Sequence, residues 1–179
     1  MWKNTPSSYG FINKLLHWIS ALIIIGLFIL GYWMVGLDYY SEWYQKAPHI
    51  HQSVGFLLIV MTAFRLVWKR METPLTDIET HSALVKKSAK AAHNVLYLLI
   101  ALLMLSGYLI PTSDGRAIEI FNWFEIPALG KLFEKQEDIA GLVHEYLAYS
   151  LIAIAFLHAL AAIKHHIIDK DDTLNRMIK

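Results

Sequence analysis

Residues 144–163 read HEYLAYSLIAIAFLHALAAI. Past Glu145 the run is uncharged, and it holds two histidines, His144 and His158, 14 residues apart. Its apolar length is close to the roughly 20 residues that cross a bilayer as a helix. On a helix, 14 residues turn through about 1400°, some 40° short of four full turns, and rise about 21 Å. The two imidazoles therefore share one face at two depths. An ionisable group inside a membrane is costly unless it is paired or liganded, so each depth calls for a partner.

Working outward, runs of the same kind lie at 19–37 and 94–111, and the run 47–68 carries only Arg65, near one end, where a guanidinium can snorkel to the headgroups. The sequence predicts an all-α fold: an integral membrane four-helix bundle, antiparallel and up-down, with spans at about 9–37, 47–69, 84–110 and 136–166. The whole chain, 1–179, reads as one transmembrane domain. Its hydrophobic fraction of 56% and mean hydropathy of +0.40 exceed those of an ordinary soluble domain and put the excess in lipid. The first run follows Lys3 and Lys14 but continues too far for a secretory signal and lacks a small-x-small cleavage site, which predicts a retained span. The segment around 116–135 mixes Phe121, Trp123, Phe124 and Leu132 with acids and predicts a loop lying in the interface.

Basic residues flanking membrane spans stay in the cytoplasm. One side of the predicted bundle collects Lys3, Lys14, Arg65, Lys69, Arg70, Lys86, Lys87, Lys90, Lys164, Lys170, Arg176 and Lys179, leaving Lys46, Arg116, Lys131 and Lys135 on the other. This predicts cytoplasmic N- and C-termini. Tyr39, Tyr40, Trp43, Tyr44 and Trp123 then supply an outer aromatic belt, and Trp68 belongs to the inner one.

With antiparallel helices, depth assigns the partners. His17, about two turns into the first helix, matches His158 on the inner side, and His51, early in the second, matches His144 on the outer side. Two imidazoles about 4 Å apart across a flat macrocycle are what a low-spin electron-transfer haem requires. The expected cofactors are therefore two b haems, with His17/His158 holding the inner iron and His51/His144 the outer. One membrane histidine is more often a packing residue than a ligand, but four at matched depths reverse that expectation. Gly55 and Gly141 lie near the outer pair, where a porphyrin would approach the backbone. His93 starts the third helix on the inner side and competes with His17 as ligand; otherwise it would bond a propionate or a quinone. Arg65, 14 after His51, suits a propionate or plain snorkelling, and His165, seven after His158, suits the border of an inner quinone pocket or an interfacial position. His49 is expected at the interface and His81 in solvent. The absence of cysteine excludes disulfides, thiolate-held iron–sulfur clusters and covalently attached haem. A formal net charge of +1 gives no reason to invoke nucleic acid as a partner.

Several stretches together resemble the bacterial cytochrome b561 proteins, especially the branch found beside a periplasmic lipid-binding partner. They are Lys14-Leu15-Leu16-His17-Trp18, Ala47-Pro48-His49-Ile50-His51-Gln52-Ser53-Val54-Gly55, Ala92-His93-Asn94-Val95-Leu96-Tyr97, the His144 and His158 spacing, and the tail Lys164-His165-His166-Ile167-Ile168-Asp169-Lys170-Asp171-Asp172-Thr173-Leu174. The resemblance covers nearly the whole chain. It implies a diheme b cytochrome of the bacterial inner membrane, with His17, His51, His144 and His158 matching the axial ligands. One studied type in the family looks like a superoxide oxidase that passes electrons from periplasmic superoxide to ubiquinone, with a residue matching His165 near its quinone site. The outer loops, however, set eight acids against four bases, a balance of −4 that does not steer an anion inward.

Three functions follow as expectations. The first is a cytochrome carrying electrons between a periplasmic donor and the ubiquinone pool, as an oxidoreductase if it acts on a substrate of its own. The second is a haem-bearing membrane anchor that wires a periplasmic partner protein to quinone. The third, ranked well below, is a divalent-metal carrier, since carriers mix carboxylates with histidine inside the membrane and these spans have almost none.

Overall fold

The computed structural model of the chain describes residues 1–78 and 80–179. Its main elements are α1 (Phe11–Met34), α2 (Trp43–Met71), α3 (Ala83–Leu109) and α4 (Gln136–Ile167). A short hairpin of β1 (Ile118–Ile120) and β2 (Phe124–Ile126) lies between α3 and α4, and a one-turn α5 (Asn175–Ile178) ends the tail. The four long helices are each long and apolar enough to cross a membrane, with mean hydropathies between 1.6 and 2.2 over their most apolar 18 residues. Leu22, Ile29, Leu98 and Phe156 stand more than half exposed, as suits helices whose solvent is lipid. Beside buried Leu58, Leu99 and Leu151, the helices bury small residues: Ala47, Ser53, Thr62, Ser106 and Ala140 let backbones approach one another.

Helix ends differ from expectation for local reasons. α1 starts at Phe11 rather than Tyr9 because Gly10 is its N-cap, and the Gly10 amide donates to Asn4 Oδ1 at 2.9 Å. A Cβ at Gly10 would collide with the backbone of Trp2 and Lys3, so the N-terminal segment crosses the helix start there. α2 begins at Trp43, four residues before the predicted Ala47. The expected start marks where the uncharged run begins after Lys46; the helix runs further back because Trp43 packs edge-on against Trp33 at 5.9 Å and Tyr44 against Tyr39 at 5.6 Å. The belt aromatics extend the helix, and Pro48 sits in its second turn, where it forgoes one backbone hydrogen bond.

α1 packs along α2 and α3 along α4, whereas α2 with α3 and α1 with α4 touch at few points. The fold is therefore two helical hairpins leaning together. At one end both termini and the α2–α3 linker are stitched: the Thr76 amide donates to Pro6 O at 2.9 Å, Arg176 Nη1 to Thr76 O at 2.6 Å, and the Tyr9 amide to Arg176 O at 3.3 Å. Near the other, Gln136 joins the second hairpin, donating from Nε2 to Leu109 O at 2.9 Å and accepting at Oε1 from the Leu132 amide at 2.8 Å.

The segment expected as an interfacial loop folds over α2 instead. Phe121 and Asn122, at φ of 48° and 57°, turn the chain, with the Trp123 amide donating to Ile120 O at 2.8 Å, a type I′ geometry suited to hairpins. Ile118 and Ile120 are buried, and the Phe121 amide donates to the fully buried Ser53 Oγ at 3.0 Å.

Candidate functional site

His144 and His158 of α4 each face a histidine of the first hairpin. The rings of His158 and His17 have centroids 6.3 Å apart with planes at 74°, and those of His144 and His51 are 6.2 Å apart at 70°. Both depth-matched pairs are thus brought together, and each bridges the two hairpins. The spacing is informative. With metal–nitrogen bonds of about 2 Å and a ring centre about 1.1 Å behind the coordinating nitrogen, two imidazoles facing one metal have centroids ~6 Å apart. His93 also approaches His158, but at 5.1 Å, tighter than such bridging allows.

Second contacts orient the rings. His144 Nδ1 lies 3.0 Å from Leu103 O and 3.1 Å from Ser106 Oγ. A carbonyl only accepts, so Nδ1 carries the proton and the Nε2 lone pair is left for a ligand. His51 Nδ1 is buried without a hydrogen-bond partner. A Cβ at Gly31 would press on His51 Cε1 at 3.2 Å, and one at Gly107 on His144 Cε1 at 3.1 Å. These are the glycines whose smallness positions the imidazoles. At Gly55 and Gly141, which the sequence suggested, a Cβ would meet no protein atom within 4 Å.

At the His17–His158 pair, Arg65 Nη2 is 3.1 Å from His17 Nδ1, and its guanidinium lies over the Tyr97 ring at 5.8 Å. His165 joins a different group: its Nδ1 is 2.8 Å from Asp169 Oδ2 and 3.0 Å from Asp171 Oδ2, with the His81 ring at 4.8 Å. His81 is accordingly not solvated as expected but half-buried, 2.7 Å from Asp171. In the segment between α3 and α4, Arg116 pairs with Asp114 at 2.6 Å and Lys131 with Glu134 at 2.8 Å. Hydrogen bonds from the Arg116 amide and side chain hold the Asp114 carboxyl below its ordinary range.

A family model described as prokaryotic cytochrome b561 matches residues 8–179. The chain belongs to the prokaryotic cytochrome b561 family. It is 45% identical over 175 residues to cytochrome b561 homolog 2 of Escherichia coli (strain K12), covering 98% of this chain and 93% of that one. It is 28% identical over 170 residues to cytochrome b561 homolog 1 of the same organism, covering 91% and 92%. A third relative, described as the probable superoxide oxidase CybB of Yersinia pestis, is 28% identical over 167 residues, covering 91% of each.

As a member of the cytochrome b561 family this is a multi-pass, haem-binding electron-transport protein of the membrane, and the haem is b-type. The residues fit such a group. Two imidazole pairs have the separation that one iron each would impose, and within them His51 Nδ1 is buried without a protein partner. Sequence reasoning missed Gly31, Gly107, Ser106 and the Leu103 carbonyl. They sit on helices whose rotation about their own axes no spacing rule fixes, and only packing aims them at His51 and His144.

Proposed function

We propose that this cytochrome carries two b haems and moves electrons across the bacterial inner membrane between a periplasmic donor and the ubiquinone pool. The observation that carries the reading is the pair of interhelical histidine couples at 6.3 and 6.2 Å. His17 and His158 would hold the inner haem, and His51 and His144 the outer. Bound there, the haems supply a one-electron path with closed coordination, which excludes oxygen chemistry at iron.

The chain's own residues orient and insulate that path. Leu103 O fixes the His144 tautomer, and the lipid-facing leucines keep water out. Arg65 has a different task. A guanidinium only donates, so its 3.1 Å contact needs His17 Nδ1 to accept, which puts the proton on Nε2. Ligation through Nε2 would require the reverse tautomer, and Arg65, freed from His17 and held over the Tyr97 ring, would then be available to neutralise a propionate. At the inner end a quinone takes two electrons in two passages and two protons; His93 and His165 are the groups within reach of that side, and a surface histidine can hand on both protons in turn.

The bundle is an antiparallel up-down single domain with both termini in the cytoplasm. Contacts that support this pair the start of α1 with the end of α2 (His17, Arg65) and the reverse (Gly31, His51), and likewise α3 with α4 (His93, His158; Leu103, His144). Twelve of the sixteen basic residues lie at the end where the termini meet, as the positive-inside rule asks.

A second reading, a haem-bearing anchor serving a periplasmic protein, is favoured by one observation. Arg116 and Lys131, the residues best placed to attract superoxide locally, are each tied to an acid, so the acidic outer face suits a basic partner better than an anion. A pyridine haemochrome assay on the purified protein tests the main reading: two haems b per chain are expected, and one or none overturns it.

A further inference from the structure

Away from the histidine pairs, a second group of ligand-type side chains gathers at the stitched end of the bundle. It takes one residue from each of three segments: His81 from the α2–α3 linker, His165 from the last turn of α4 and Asp171 from the tail. Asp171 Oδ2 lies 2.7 Å from His81 Nε2 and 3.0 Å from His165 Nδ1, and Asp169 Oδ2 lies 2.8 Å from His165 Nδ1. One donor atom from each of the three residues falls within 4.8 Å of the others. The Asp171 side chain is 6% exposed and both imidazoles 16%. Burial pushes the Asp171 carboxyl up, but hydrogen bonds from Thr173 and His81 and the proximity of His165 outweigh it and hold the group well below the usual carboxylate range. It is an anion.

Two features set this group apart from ordinary ion pairs. His165 Nδ1 is buried and close to two carboxylate oxygens, yet hydrogen-bonds to neither, because the ring-plane direction of an N–H there misses both. Lys164 Nζ pairs with Asp169 Oδ2 at 2.6 Å, which leaves Asp171 Oδ2 facing the unpartnered His165 Nδ1; a cation between a nitrogen lone pair and an anionic oxygen removes their repulsion. Beside them opens a surface cleft of about 400 Å³ lined by four acids, Asp77, Asp169, Asp171 and Asp172, against two bases, Lys170 and Arg176. It gives a hydrated cation a polar way in from solvent.

We propose that His81, His165 and Asp171, with Asp169 as a fourth donor, form a site for a divalent transition-metal ion of the zinc class. Two imidazole nitrogens with carboxylate oxygens are a donor set that suits Zn²⁺, whereas Mg²⁺ prefers oxygen alone and keeps its water. Bonds of about 2.0–2.2 Å put neighbouring donors roughly 3–3.5 Å apart. The Asp171 oxygen must therefore withdraw by a few tenths of an ångström and the imidazoles close in, which side-chain rotation on three separate segments permits. The site shares His165 with the proposed quinone end, but zinc binding is read without haem count or quinone turnover, so the two readings fail separately.

The test is calorimetric titration of the tag-free holoprotein in detergent with Zn²⁺ alone, with metal counted after gel filtration. Expected is one tightly bound Zn²⁺ per chain, with affinity falling about ten-fold or more in each of His81→Gln and Asp171→Asn, variants that keep hydrogen-bonding capacity and whose haem spectra report intact folding. A wild-type chain that retains no zinc, variants that bind as the wild type does, or Mg²⁺ binding at the same stoichiometry and strength would each overturn it. X-ray absorption at the zinc edge should find two imidazoles in the shell, and a shell of oxygen alone would also overturn it.

Discussion

At the scale of single residues, the inner and outer imidazoles make separable predictions. His51→Ala and His144→Ala should each remove the outer haem and spare the inner, and His17→Ala and His158→Ala should do the reverse; spectra of the four purified variants check this. If the His17 and His51 variants lost the same haem, the depth assignment would be wrong, and an intact inner haem in His17→Ala would make His93 the ligand despite its 5.1 Å approach to His158. A second prediction concerns His165, whose place in the last turn of α4 puts an imidazole at that end of the bundle, where it can hand on a proton. His165→Ala should slow haem oxidation by a ubiquinone analogue about ten-fold, within the range for a lost proton-transfer group, with both haems retained. Stopped-flow measurement in metal-free buffer decides it, and an unchanged rate moves the quinone site away from this residue.

At the scale of elements, the hairpin between α3 and α4 hangs on one buried hydroxyl. Ser53→Ala leaves the Phe121 amide unsatisfied at a cost of about 1–3 kcal/mol, so hydrogen exchange at Phe121 and proteolysis across 112–135 should both accelerate; unchanged protection would mean that Ile118 and Ile120 hold the hairpin by packing alone. This element also marks where the sequence stopped being legible. Four spans could be read because long uncharged runs have one physical outcome in lipid, and His144 with His158 could be read because helical pitch converts a spacing of 14 into one face. The hairpin could not, because Phe121 and Asn122 adopt left-handed backbone that neither residue advertises as glycine would. The start of α2 was misplaced for a related reason: Lys46 bounds the uncharged run, and the Trp33–Trp43 contact that carries the helix past it is tertiary. The cluster of His81, His165 and Asp171 was hidden likewise, since its members come together only when linker and tail dock on α4.

At the scale of the whole molecule, orientation can be tested directly because the chain has no cysteine. Tyr40→Cys should react with a membrane-impermeant maleimide on intact spheroplasts, and Thr73→Cys only after permeabilisation; the opposite pattern would invert the bundle. The division into two hairpins has a further consequence for how such a molecule is made. Under the proposed ligation, each iron takes one imidazole from the half of the chain synthesised first and one from the half synthesised last. Neither half can retain a cofactor alone, so haem loading doubles as a proofreading step: an unfinished or clipped polypeptide stays colourless and is left to quality-control proteolysis before it can leak electrons.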